Sequence, residues 1–218
     1  MGSTQQPRSV LGRMQNPVRG FLHGSGAVAA LIGLFALLVR ANDARMFLAS
    51  AIYGIALFTM FATSALYHSV PWGEDWKVRL QRLDHTFIYV LVAGTVTPLL
   101  VATSRGPWLL AGLAGIWGLV ALGMMREVTQ GKRQRTILAL QLMVGAIALI
   151  PIVRTLSKVE SAVAALVLAG GVFYLLGTIF FVNGRPRLSP RVFSHHEFFH
   201  VVVILASSLN FLAVWRLA

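Results

Sequence analysis

Two histidines near the C-terminus, His196 and His200, stand four residues apart. On an α-helix this spacing places both imidazoles on one face, where they can share one metal ion. One pair does not complete a coordination shell, so a third ligand must come from elsewhere in the chain, and His68 is the best candidate. Three imidazoles with one open position form a zinc site of the catalytic type. The chain has no cysteine, which excludes thiolate zinc sites, iron–sulfur clusters and disulfides.

Two further polar residues accompany His68. Ser64 precedes it by four residues and shares its helix face, about 6 Å away along the axis. Asp84 lies at the start of the next apolar segment, where an ionisable group is costly and usually marks function. We expect Asp84 to hydrogen-bond a water at the metal and take its proton, and Ser64 to orient that water or a ligand. The alternative is structural: Asp84 pairs with Arg82 or caps a helix, and the histidine spacing arises by chance.

The other histidines are His23, His85 and His195. A single histidine near the end of an apolar helix is usually a half-solvated interfacial residue or packs without further function, and we expect this for all three. Glu197 has a different azimuth from the histidine pair and is expected to favour the positive end of a helix dipole.

Seven apolar segments must position these groups, each near the roughly 20 residues that a helix needs to cross a bilayer. Hydrophobic residues make up 56% of the 218 residues and charged residues only 12%, against about a quarter charged in soluble domains. The sequence therefore predicts an all-α integral membrane protein of the cell membrane, a seven-helix bundle over residues 20–218 after a cytoplasmic tail over 1–19. The segments are 20–39, 46–69, 83–102, 107–125, 136–153, 161–182 and 197–216.

Lysine and arginine are unevenly distributed between the two sides of this bundle. Thirteen of the nineteen fall on the side of the N-terminus, which predicts a cytoplasmic N-terminus and an external C-terminus. All six histidines then lie at the cytoplasmic side. The net charge of +12 belongs to these connecting segments, so we expect contacts with lipid headgroups and no nucleic-acid binding. The lysines (Lys77, Lys132 and Lys158) are expected in loops, which excludes a retinal Schiff base.

Three separate motifs are similar to those of one known family. Ser64-Ala-Leu-Tyr-His68, the run from Leu83 to Pro98, and His196-Glu-Phe-Phe-His200 together resemble the haemolysin III family. That family belongs with the progestin and adipoQ receptors and, more distantly, with the alkaline ceramidases. The resemblance extends from about Asn16 to Ser208. This chain departs from the usual bacterial pattern at Val96, Ser194 and Gln15.

The resemblance implies a seven-helix bundle with a zinc ion near its cytoplasmic face. By position in the motifs, the zinc ligands are His68, His196 and His200. Asp84 would contact the zinc-bound water, and Ser64 would lie nearby. None of the departures falls on a ligand.

Three functions remain open at this point. The first is a zinc-dependent hydrolase of lipid amides or esters, whose substrate enters from within the bundle. The second is a sensor or receptor-like regulator of the membrane, in which zinc is structural. The third, a cytolytic pore, is less expected because the apolar segments are typical of a permanent integral membrane protein and not of a soluble toxin that inserts. Either of the first two would act in membrane lipid homeostasis, with lipids as partners and no protein partner identifiable.

Overall fold

The computed structural model describes residues 14–129, 153, 155–186, 188–189 and 193–218. This part of the chain forms six long helices, all of which are long and apolar enough to cross a membrane. The fifth predicted segment, 136–153, lies outside the described residues except for Val153. The all-helical membrane fold is confirmed, whereas the count of seven spans and the side on which each terminus lies stay predictions. The helices are α1 (Pro17–Arg40), α2 (Ala44–Ser69), α3 (Glu74–Thr103), α4 (Gly106–Thr129), α5 (Ser161–Val182) and α6 (His195–Leu217).

Local sequence signals start these helices. Pro17 occupies the first turn of α1, where its missing N–H costs no hydrogen bond. Asp43 caps α2 by accepting a 2.7 Å hydrogen bond from the backbone N–H of Met46. Ser194 and Glu197 form a capping box at the start of α6, which satisfies backbone donors that otherwise lack a partner.

Helix α3 differs most from its predicted segment. It begins at Glu74, nine residues before the expected start at residue 83. Asp84 therefore lies inside the helix, and the alternative in which it caps the helix is wrong. Lys77 is also on this helix rather than in a loop, although its side chain is exposed and does not enter the bundle.

The directions of the helices follow from contacts at their ends. Arg19 at the start of α1 pairs with Glu197 at the start of α6. Arg40 at the end of α1 donates a 2.9 Å hydrogen bond to the carbonyl of Trp215 near the end of α6. These two helices are therefore parallel. The end of the bundle that contains the starts of α1 and α6 is called here the histidine end.

The remaining described helices alternate in direction along the chain. Connections of two to four residues join α1 to α2, α2 to α3 and α3 to α4, so neighbours in this run are antiparallel. The end of α5 packs on the start of α6 through Phe180 and Phe198, whose ring centroids are 5.5 Å apart. Both α4 and α5 consequently run towards the histidine end. The end of α4 and the start of α5 therefore lie at opposite ends of the bundle.

Candidate metal centre

Three histidines converge at the histidine end. His68, His196 and His200 each offer a ring nitrogen, and these three nitrogens all lie within 4.8 Å of one another. His68 is in the last turn of α2, and the other two are in the first two turns of α6. The ring centroids are 5.3 Å apart for His68 and His196, 4.9 Å for His68 and His200, and 5.0 Å for His196 and His200. The sequence places these residues at one side of the bundle only, and the packing of α2 beside α6 brings them together laterally.

The environment of this triad suits a ligand set. His68 and His200 are buried, with 3% and 2% of their surface exposed, and His196 is half-buried. Nδ1 of His200 is buried and has no hydrogen-bond partner within the described residues. Buried polar atoms rarely lack partners in folded proteins. Three imidazoles, one of which has such an unsatisfied nitrogen, fit a divalent metal ion that has one coordination position open.

Asp84 and Ser64 lie beside the triad as a hydrogen-bonded pair. The Ser64 hydroxyl donates to the Asp84 carboxylate. Ser64 is buried and one helical turn from His68, so it places the carboxylate within about one turn of that ligand. Asp84 does not belong to the group of mutually close metal-binding atoms. It therefore occupies an outer position, where a carboxylate can contact a water or substrate rather than the ion itself.

An ion pair links α1 to α6 over the same end. Nε of Arg19 donates to Oε1 of Glu197 at 2.6 Å. The second carboxylate oxygen of Glu197 accepts hydrogen bonds from the backbone N–H of Ser194, at 2.7 Å, and from the Ser194 hydroxyl. The expectation that Glu197 belongs to the helix start is thus correct, and the ion pair is an additional role. This carboxylate fixes the first turn of α6, which contains His196.

The segment before α1 packs on the end of α2. The backbone N–H of Asn16 donates a 2.9 Å hydrogen bond to the carbonyl of His68, and the N–H of Gln15 donates to the carbonyl of Ser69 at 3.3 Å. Three chain segments therefore meet around the triad.

The three remaining histidines have different positions. His85 and His195 are half-buried, and His195 contacts Phe181 with ring centroids 5.8 Å apart. His23 is only 4% exposed, so the half-solvated alternative is wrong for it. Its ring lies 3.9 Å from that of His200 between centroids.

Two residues beside the triad, Arg19 and His23, were not assigned to the site from sequence. Arg19 was counted only as a topology signal. His23 could have been placed by periodicity, because small residues at positions 20, 26, 27, 30 and 33 form the buried face of α1 and His23 continues that face. A histidine aligned with a close-packed stripe faces other helices rather than lipid.

The fold and the site together define a class of protein: an all-helical membrane protein with a largely buried three-histidine cluster at one end of its bundle. The family model described as haemolysin-III related matches residues 12–211. The chain belongs to this family, and it is an integral membrane protein.

Curated relatives extend the same similarity. Hemolysin-3 of Bacillus cereus is 31% identical over 198 residues, which cover 88% of this chain and 86% of that protein. The hemolysin-3 homolog of Bacillus subtilis (strain 168) is 27% identical over 196 residues, which cover 88% and 89%. The monocyte to macrophage differentiation factor of Homo sapiens, a progestin and adipoQ receptor family member, is 22% identical over 203 residues, which cover 90% and 81%.

Proposed function

We propose that this chain is a zinc-dependent hydrolase of lipid amides or esters that acts within the membrane. The observation that carries the proposal is the triad of His68, His196 and His200 beside the Ser64–Asp84 pair. A purely structural zinc site is usually closed by four protein ligands. This site has three mutually close donors in the described part of the chain and a carboxylate next to them, as a hydrolytic site requires.

The ligands, Asp84 and Ser64 would each have a separate role. His68, His196 and His200 would hold the ion, which when bound polarises a carbonyl and lowers the pKa of water to about 7. Asp84 would accept a proton from the attacking water and return it to the amine or alcohol that leaves. Ser64 would hold the Asp84 carboxylate in one orientation through its hydrogen bond.

The position of the site favours a lipid substrate. The triad lies at the ends of helices long enough to cross a membrane, so a carbonyl just below a lipid headgroup can reach its level. Exposed apolar side chains on α5 face outwards, among them Leu168, Val172 and Leu176. An acyl chain would remain in a hydrocarbon environment while its carbonyl reacts.

The experiment is a hydrolysis assay with purified protein in lipid nanodiscs, loaded with zinc and given a panel of N-acyl and O-acyl lipids. We expect turnover by the wild type and a loss of about 10²-fold or more for Asp84→Asn, the range for removal of a general acid–base group. Asp43→Asn is the matched control, because Asp43 caps α2 at the opposite end and asparagine is an equally good cap. Absence of turnover across the panel by zinc-loaded wild type would reject the hydrolase.

A second function, a membrane sensor with structural zinc, is favoured because the three ligands come from two different helices. His68 comes from α2 and the other two ligands come from α6, so a bound ion would cross-link distant parts of the chain. A membrane sensor with structural zinc would use this cross-link to couple the two helices. It predicts that Asp84→Asn keeps cellular activity at normal abundance while His200→Ala abolishes it, whereas the hydrolase predicts loss in both.

A further inference from the structure

The first part of α3 extends beyond the apolar part of that helix at the histidine end. The helix has 30 residues, a length of about 45 Å at about 1.5 Å per residue, whereas the hydrocarbon core of a bilayer is about 30 Å thick. The excess of about 15 Å corresponds to about ten residues. Every charged residue of α3 apart from Asp84 falls within residues 74–83, so this part of the helix lies in the headgroup layer.

One face of this extension combines an indole, a guanidinium and an aliphatic side chain. Trp76, Arg79 and Leu83 follow one another at i, i+3 and i+7, so they share one side of the helix. Trp76 is 57% exposed and Leu83 is 45% exposed, and Arg79 is exposed as well. These three residues are called here the Trp76 face. The protein leaves this face open to its surroundings.

The indole of Trp76 positions the guanidinium of Arg79, whose charge has no partner within the described residues. The guanidinium carbon lies 5.4 Å from the centroid of the Trp76 ring, within the range of a cation–π interaction. Arg79 forms neither a hydrogen bond nor an ion pair with any described residue. The acidic residues of the extension, Glu74 and Asp75, are in the first turn of the helix, where they favour the positive end of its dipole.

A second arginine–tryptophan pair, at the other end of the bundle, provides a contrast. The guanidinium carbon of Arg40 lies 4.8 Å from the centroid of the Trp215 ring. Nε of Arg40 also donates a 2.9 Å hydrogen bond to the carbonyl of Trp215, so that guanidinium is already bonded within the protein. Arg79 has the same kind of aromatic neighbour without such an acceptor, and its N–H donors can bind a partner outside the protein.

The spacing along the Trp76 face matches the depth of a phospholipid headgroup. The rise from Leu83 to Arg79 is about 6 Å, and the headgroup region of one leaflet is about 5–8 Å thick. With Leu83 among the acyl chains, Arg79 is level with the phosphates, and Trp76 has the interfacial position that tryptophan prefers. A guanidinium can bind a phosphate group through two parallel hydrogen bonds.

We propose that the Trp76 face is a binding site for an anionic phospholipid, whose phosphate is held by Arg79 and whose acyl chain lies along Leu83. An anionic headgroup brings net negative charge to a cation that the described part of the protein does not neutralise. A zwitterionic headgroup also brings a positive group, which Arg79 would repel. The proposal depends neither on a metal ion nor on hydrolysis.

The experiment is native mass spectrometry of detergent-purified full-length protein titrated with phosphatidylglycerol or with phosphatidylcholine. We expect the wild type to bind phosphatidylglycerol more tightly. Arg79→Gln should weaken that binding about fivefold, the usual effect of one basic residue at an anionic membrane surface. Trp76→Leu keeps every charge but removes the ring that positions the guanidinium, and should weaken it about two- to fivefold.

Two control variants separate a defined site from a diffuse field of positive charge. Arg40→Gln removes the arginine of the other pair and should bind phosphatidylglycerol like the wild type. Lys77→Gln removes a charge two residues from Arg79 but on a different side of the helix, and should lose less than Arg79→Gln. Because the side chains of Trp76 and Arg79 are exposed, thermal unfolding in lipid-free detergent should be the same for these variants and the wild type.

Four results would overturn the proposal. They are equal affinity of Arg79→Gln and wild type, unchanged affinity of Trp76→Leu, equal losses in Arg79→Gln and Lys77→Gln, and a wild type that binds phosphatidylcholine as tightly as phosphatidylglycerol. The third result would indicate a diffuse field alone, and the fourth a headgroup contact without selection for charge.

Discussion

Replacing Glu197 by glutamine should reveal how strongly the start of α6 is fixed. The carboxylate of Glu197 accepts from Arg19, from the backbone N–H of Ser194 and from the Ser194 hydroxyl. The side chains of Glu197 and Arg19 are 9% and 20% exposed, so solvent screens the pair only in part. Glutamine keeps an acceptor oxygen for the cap but loses the charge, and Arg19 is left without its counter-ion.

The chain contains a matched control for this change. Glu160 is the N-cap residue of α5 and pairs with Arg216 at 3.1 Å, but its side chain is 59% exposed and that of Arg216 is 49% exposed. Both glutamates stand at a helix N-terminus, so both substitutions forfeit a similar dipole interaction of about 0.3–1 kcal/mol. Their difference isolates the buried hydrogen bonds and the ion pair.

The magnitudes follow from these exposures. A hydrogen bond to a charged group contributes about 1.5–3 kcal/mol, whereas an exposed ion pair contributes about 0–1 kcal/mol. We therefore expect Glu197→Gln to lower the free energy of unfolding by about 2 kcal/mol more than Glu160→Gln. Unfolding in mixed micelles titrated with a denaturing detergent measures both. Equal losses in the two variants would refute the reasoning, since the buried ion pair would then add nothing.

Three further predictions concern packing, the Ser64–Asp84 pair and the ion. Gly170→Ala should destabilise the protein by about 1–3 kcal/mol, because its Cβ would lie 2.6 Å from Oδ1 of Asn210 and 3.1 Å from the carbonyl of Ala206. The Cβ of Gly171→Ala meets nothing within 4 Å, so this variant should gain up to about 1 kcal/mol of stability. Thermal unfolding in detergent compares the two variants, and the same sign for both would contradict the close packing of α5 on α6. Ser64→Ala should lower turnover while zinc content stays at the wild-type level, and a loss of zinc in this variant would instead make Ser64 part of the ligand set. Zinc at about 100 times its Kd should raise stability by about 2.7 kcal/mol, seen as a higher Tm that chelation reverses and that His200→Ala abolishes.

The sequence was sufficient for those features that depend on composition and local spacing. Apolar runs located five of the six described helices to within four residues at each end, whereas α3 begins nine residues before its predicted start. The i, i+4 spacing of His196 and His200 gave the paired ligands before any packing was known. The placement of His68 beside them needed the family's motifs as well. Periodicity fixes which residues share a face of one helix, but it does not fix which helices are neighbours.

The features that sequence analysis missed all depend on packing between distant elements. Arg19 and Glu197 are 178 positions apart, and no local pattern pairs them. The polar start of α3 from Glu74 has no apolar signal, so Asp84 was placed at a helix end instead of inside the helix. Gly170 and Gly171 are adjacent residues of the same type, yet only at Gly170 would an added Cβ meet α6. The periodicity of α1 already indicates that His23 is buried, but its contact with His200 became visible only when α1 was packed against α6.

The most direct test of the account is the metal content of detergent-purified protein by mass spectrometry, with the wild type measured beside His200→Ala and Asp84→Asn. We predict about one zinc ion per chain in the wild type and loss of zinc in His200→Ala. Zinc should be retained in Asp84→Asn, because Asp84 lies outside the group of close ligand atoms. A wild-type protein that contains no metal even after zinc loading would contradict it. The three histidines would then be packed side chains, and no hydrolytic role could be built on them.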